Sequence, residues 1–172
     1  MALIVQDDTG LVVGATTYVS VATFRAYWDA RNPAYKDDDD AIAIAVAQGS
    51  DYVDRRYGYR GRKLNGRQQR QQFPRINCFD ADRLPVQGIP QEVKDATCEY
   101  AFRALAGTLN PDPTIDPSGL AVAKVSKTVG PITKDVEFFE GDGVAALPNY
   151  PGADLILKRG GFILSSGTML RA

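Results

Sequence analysis

The chain has 172 residues, and its 20 Lys and Arg against 21 Asp and Glu leave a formal net charge of -1, with no histidine. That length suggests one domain with a real core, and 44% hydrophobic against 24% charged residues is ordinary globular composition. Without histidine there is no Ser-His-Asp or Cys-His machinery, no imidazole base and no His-containing zinc site. Near-neutrality also removes the argument that the whole surface attracts nucleic acid or anionic lipid.

In chain order, Leu3-Ile4-Val5, a turn at Asp7-Asp8-Thr9-Gly10 and Leu11-Val12-Val13 read as an extended arm or short hairpin. Ser20 then caps a short amphipathic helix whose apolar positions are Val21, Phe24, Tyr27 and Trp28, ended by Asn32-Pro33. Asp37 to Asp40 supply the cap and acidic first turn of a second helix with the stripe Ile42, Val46, Gly49, Val53 and Tyr57, stopped by Gly58. Gly49 on that stripe predicts close helix approach. From Tyr57 to Pro90 the pattern breaks into turns, with room for one helical turn around Arg67 to Gln71. Pro90 to Ala106 is the strongest helix, apolar over most of its girth and closed by Gly107, as expected of a central core helix.

Pro111, Pro113 and Pro117 mark a loop, after which Val122 to Val129 and Ile132 to Phe139 predict a β-hairpin about Gly130-Pro131. A short helical stretch follows near Asp154 to Lys158, and the chain runs on through a Gly-flanked apolar tail, Gly160 to Ala172. The expected fold is mainly α: a bundle of three to four helices with a β-hairpin and extended N- and C-terminal arms. The divisions are a helical body with its N-terminal arm (1–107), a Pro-rich loop (108–121), the hairpin and short helix (122–159), and a docking tail (160–172). A lone hairpin and an apolar tail cannot bury their own faces, which predicts a neighbouring copy or partner protein.

Cys78 and Cys98 are too few and too far apart for a redox or metal site and read as reduced, packed thiols. The N-terminus lacks a basic segment followed by a long apolar one, and no apolar run approaches the ~20 residues of a membrane span. The expectation is a soluble protein made in a reducing cytoplasm, with no membrane contact.

The clearest anomaly is the stretch from Asp54 to Arg75. It holds Arg55, Arg56, Arg60, Arg62, Lys63, Arg67, Arg70 and Arg75 against Asp54 alone, interleaved with Tyr57, Tyr59 and Phe73. Basic forks among stacking aromatics suit a single-stranded nucleic-acid groove; the plainer reading is a solvated loop face or pairing with acids of another subunit, with the tyrosines as core. Asp37, Asp38, Asp39 and Asp40 lack the alternation of a calcium loop and read as a helix N-terminus. They lie one helix length, about 25 Å, from the basic stretch. That polarity suits head-to-tail contacts between copies, the geometry that closes into rings.

Asp8-Thr9-Gly10 matches the aspartic-protease tripeptide but has no second copy, and reads as a turn. Neither Gly141-Asp142-Gly143 nor Gly160-Gly161 has phosphate-loop spacing. No candidate catalytic, metal-binding or cofactor-binding residue emerges, so the expectation is a non-enzymatic protein. In the tail, Phe162, Ile163, Leu164, Met169 and Leu170 suit docking onto a neighbour, or a strand tucked against its own domain.

Several runs carry a family resemblance: Asp8-Thr9-Gly10 leading to Ser20, then Asp51-Tyr52-Val53-Asp54-Arg55-Arg56-Tyr57, Arg60-Gly61-Arg62, Gln72-Phe73-Pro74-Arg75, Ile89-Pro90-Gln91-Glu92-Val93, Val129-Gly130-Pro131-Ile132 and Tyr150-Pro151. Over most of its length the sequence resembles the head-tail connector (adaptor) proteins of tailed bacteriophages, of the family also labelled DnaT-like single-stranded-DNA-binding protein. The resemblance implies a small helical protein assembled as a homo-oligomeric ring of twelve copies in the neck of the virion. Its implied partners are the portal protein, the next neck or tail protein (a stopper or tail terminator), and genomic DNA passing without sequence specificity. The alternative is a phage single-stranded-DNA-binding or replication accessory protein using Arg55 to Arg75 with Tyr57 and Tyr59.

Overall fold

A computed structural model describes residues 3–31, 34–35, 38–111, 122–128, 133–138 and 148–164. It is mainly α, and divides into two compact units: Met1–Leu109 with Tyr150–Ala172, and the intervening Asn110–Asn149.

The first unit is the helical body. Helix α1, Val21–Asp29, is capped by Ser20, whose side chain accepts a hydrogen bond from the Thr23 N–H, and it buries Phe24 and Trp28 as the periodicity predicts. Helix α2, Asp39–Arg56, is capped by Asp38 and buries Ile42, Val46, Gly49 and Val53. Helix α3, Gln91–Ala106, starts immediately after Pro90 and buries Val93, Ala96, Cys98, Tyr100 and Ala101.

Gly49 permits the α2–α3 contact: a Cβ placed there would lie 2.7 Å from the Thr97 carbonyl oxygen and 2.9 Å from the Ala101 nitrogen. Trp28 Nε1 donates to the Cys98 carbonyl at 3.1 Å, tying α1 to α3. Cys78 and Cys98 are free and buried, and desolvation pushes the Cys98 thiol up to about 12.

The N-terminal segment is extended, but its inner half is packed. Val5 and Thr17 form one parallel bridge, Ala15, Thr17, Tyr18 and Val19 are buried, and Ser50 of α2 accepts from the Tyr18 N–H at 3.1 Å. Leu11 and Val13 face solvent, so the alternative of a short hairpin does not form.

Helix α4, Pro151–Arg159, packs on α3 and therefore belongs to the body, not with the hairpin as the sequence division of 122–159 had it. The reason is a buried carboxylate. Asp154 accepts from Tyr100 Oη at 2.5 Å and from Arg56 Nη2 at 3.3 Å. Against the desolvation that raises it, these bonds hold the Asp154 carboxyl below its ordinary value. Where the body's chain breaks off and resumes, Tyr150 Oη donates to the Leu109 carbonyl at 2.9 Å.

The second unit contains an antiparallel hairpin of β3 (Val122–Thr128) and β4 (Thr133–Phe138), paired from Val122↔Phe138 to Thr128↔Thr133 with an irregularity between Val122 and Lys124. The predicted turn residues Gly130 and Pro131 lie outside the described residues.

Candidate nucleic-acid interface

The segment between α2 and α3 looks irregular in sequence yet is tightly built. Strands β1 (Arg62–Lys63) and β2 (Arg75–Ile76) pair antiparallel, with a 3-10 turn at Gly66–Gln68 between them. This small hairpin was not anticipated from the sequence. Its turn chemistry depends on Gly61, whose φ is +70° and where a Cβ would fall 2.3 Å from the Ile76 carbonyl oxygen.

Three side chains lock the backbone from within. Arg75 donates from Nε to the Arg60 carbonyl at 2.7 Å, from Nη1 to the Gln72 carbonyl at 3.2 Å, and from Nη2 to the Tyr59 and Gly61 carbonyls at 3.1 and 2.8 Å. Gln69 is buried and donates to the Gln71 and Pro74 carbonyls. Asp54 accepts from the Gln72 N–H and from Tyr18 Oη, while the Phe73 N–H donates to that same Tyr18 oxygen. Desolvation raises the Asp54 carboxyl to about 6, although the bonds from Tyr18 and Gln72 oppose it.

The eight basic candidates therefore divide. Arg75 is buried at 9% exposure, and its donors are committed to carbonyls. Arg56 is tied to Asp154, and Lys63 Nζ donates to the Gln69 and Arg70 carbonyls. These three are therefore engaged within the fold and not free in the basic patch: Arg75 and Lys63 hold the loop, and Arg56 ties α2 to α4. Arg55 is exposed and forms a loose i,i+4 pair with Asp51 at 3.6 Å. Arg60, Arg62, Arg67 and Arg70 are exposed and make no ion pair among the described residues. Arg60 and Arg62 flank Gly61; Arg70 lines a depression against α2 with Ile44, Ala47 and Asp51.

The aromatics follow the core reading more than the groove reading. Tyr59 and Phe73 are buried, packed with Phe162 at centroid separations of 6.2 and 5.4 Å, and only Tyr57 of the three remains half-buried. The exposed ring in this region is Phe79, at 46%, which the sequence reading passed over.

Phe162 is 1% exposed, and Ile163 bridges to Tyr59; the Arg60 N–H donates to the Phe162 carbonyl and the Leu164 N–H to the Gly58 carbonyl, both at 2.8 Å. This part of the predicted docking tail closes over its own body, because its apolar side chains complete the Tyr59–Phe73 cluster. Leu164 is partly exposed, while Met169 and Leu170 lie outside the described residues.

On the acidic side, Asp38 accepts from the Asp40 N–H, and Asp39 pairs with Arg25 at 2.7 Å within the chain; Asp37 lies outside the described residues. The Asp8-Thr9-Gly10 run is a turn, in which Asp7 Oδ1 accepts from the Thr9 and Gly10 N–H groups and Asp8 Oδ1 from the Ile89 N–H. No described helix is long and apolar enough to cross a membrane.

What the arrangement offers chemically is a rigid loop displaying guanidinium groups, suited to phosphate oxygens. No curated protein and no solved structure matches the chain. A family model described as "Putative DnaT-like ssDNA binding protein" matches residues 1–172, and with the whole sequence covered, the protein belongs to that family.

Proposed function

We propose that the protein binds single-stranded DNA through its phosphate backbone, without catalysis, using Arg60, Arg62, Arg67 and Arg70. The observation behind this reading is that four exposed arginines, free of ion pairs among the described residues, sit on a backbone fixed by Arg75, Gln69 and Asp54. A rigid loop loses little conformational entropy on binding, so each charge-assisted bond contributes more. Because the chain as a whole is near neutral, attraction is local, and the affinity should fall steeply with salt.

Fluorescence anisotropy with a labelled oligo-dT over a salt series tests this. Four phosphate contacts give a log–log slope of about -3 on single strands. Arg60→Glu with Arg62→Glu should abolish binding; a wild type that fails to bind at low salt overturns the reading.

A second reading is favoured by the hairpin unit: two strands alone are marginally stable in water, and among the described residues each strand pairs only with the other, leaving an edge that a neighbouring chain can cover. In this reading, copies form the connector ring of a virion neck between the portal and a stopper or tail terminator, and the arginines meet channel DNA or the acids of an adjacent copy. Native mass and negative-stain imaging, with and without portal, should show rings. A persistent monomer indifferent to portal removes this reading, and Asp38→Lys with Asp39→Lys should disrupt the rings if they are charge-paired.

A further inference from the structure

Beside the arginine hairpin lies an open groove of about 380 Å³, walled by Leu64, Ile76, Phe79, Pro85 and Val86. We propose that this groove receives an unpaired nucleobase of a single strand, stacked on the Phe79 ring. The proposal rests on the single-strand reading above and extends it from phosphate to base.

Three observations converge on it. Two of the three rings first placed at the interface cannot stack a base, since Tyr59 is 5% and Phe73 0% exposed, and the third, Tyr57, is half-buried. Phe79, 46% exposed, is the one solvent-facing Phe, Tyr or Trp among the described residues of the helical body. Its support is rigid: Phe79 bridges to Pro85, the Val86 N–H donates to the Cys78 carbonyl at 2.9 Å, and the Asp80 carboxylate accepts from the Asp82 and Leu84 N–H groups. An aromatic ring held on a fixed backbone is what sequence-tolerant stacking requires.

Charge complementarity selects the occupant. Arg62 is the cross-strand partner of Ile76, which lines the groove, and cross-strand partners project from one face of a sheet. An exposed guanidinium thus stands on the groove side of the hairpin, where the phosphate of a bound nucleotide would meet it. Asn77 and Gln87, also at the groove, offer amide donors and acceptors to a base edge.

The test compares labelled oligo-dT with an abasic oligonucleotide of equal length, which keeps the phosphates and lacks the bases. Phe79→Ala should weaken dT binding by roughly 5- to 100-fold and leave the abasic strand unaffected, Phe79→Tyr should retain dT binding, and circular dichroism should report unchanged folding. Arg62→Gln should weaken both strands and flatten the salt slope. If the wild type binds dT and Phe79→Ala binds it equally well, the groove is not a base site, although the single-strand reading survives. If the wild type binds neither strand, that reading itself is lost and this inference with it. If Phe79→Ala alters the mass measured by light scattering while dT binding stays constant, the groove is a protein interface and the proposal is overturned.

Discussion

The guanidinium of Arg75 sits 2.7 Å from the Arg60 carbonyl oxygen, so a buried arginine supports the backbone from which an exposed one projects. Replacing the buried member leaves several inward carbonyls without a donor, and lysine cannot reproduce a planar fork. Arg75→Lys should cost about 2–4 kcal/mol in urea unfolding. Arg62→Gln, on an exposed position 13 residues earlier in the same stretch, should change stability by less than about 0.5 kcal/mol.

Asp54 makes stability depend on pH with an unusual sign. Desolvation raises its carboxyl from 3.8 to about 6 in the folded protein, so between about pH 4 and 6 the folded chain keeps a proton that the unfolded chain releases. Its contribution therefore weakens as pH rises through that window and is constant above it, a change on the order of 2 kcal/mol. Asp154, whose carboxyl is held below its ordinary value, acts oppositely: its contribution is present above the unfolded value and lost as pH falls below it. Urea midpoints measured from pH 4 to 7 should lose the Asp54 slope in Asp54→Asn.

Gly49→Ala tests the α2–α3 contact. Alanine is the better helix former by about 1 kcal/mol, but its methyl would press on the backbone at Thr97 and Ala101. Overpacking of this kind costs about 1–3 kcal/mol, so the melting temperature should fall rather than rise.

Phe162→Ala distinguishes a core residue from a docking one. With the ring buried against Tyr59 and Phe73, its removal should destabilise the isolated protein by about 3–5 kcal/mol in denaturant unfolding, with no partner present.

The helices were legible because their information is periodic: Val21, Phe24, Tyr27 and Trp28 announce α1, and a glycine on an apolar stripe announces a close crossing at Gly49. The loop from Tyr57 to Pro90 was not, because side-chain bonds to carbonyls from Arg75 and Gln69 fix it, and these leave no period in the sequence. Arginine is usually exposed, so nothing in the composition separates Arg75 from Arg62. Phe79 was missed because it stands beside buried Cys78, and only the bridge to Pro85 reveals which of the two faces outward. Asp154 lay in a recognised helical stretch, but its burial follows from Tyr100 and Arg56, 54 and 98 residues away in the chain.

The bond from Tyr150 to Leu109 has a consequence for how such a protein can diversify. The body's chain breaks off and resumes at one bonded point, so a change in the length of residues 110–149 need not disturb the body's own contacts.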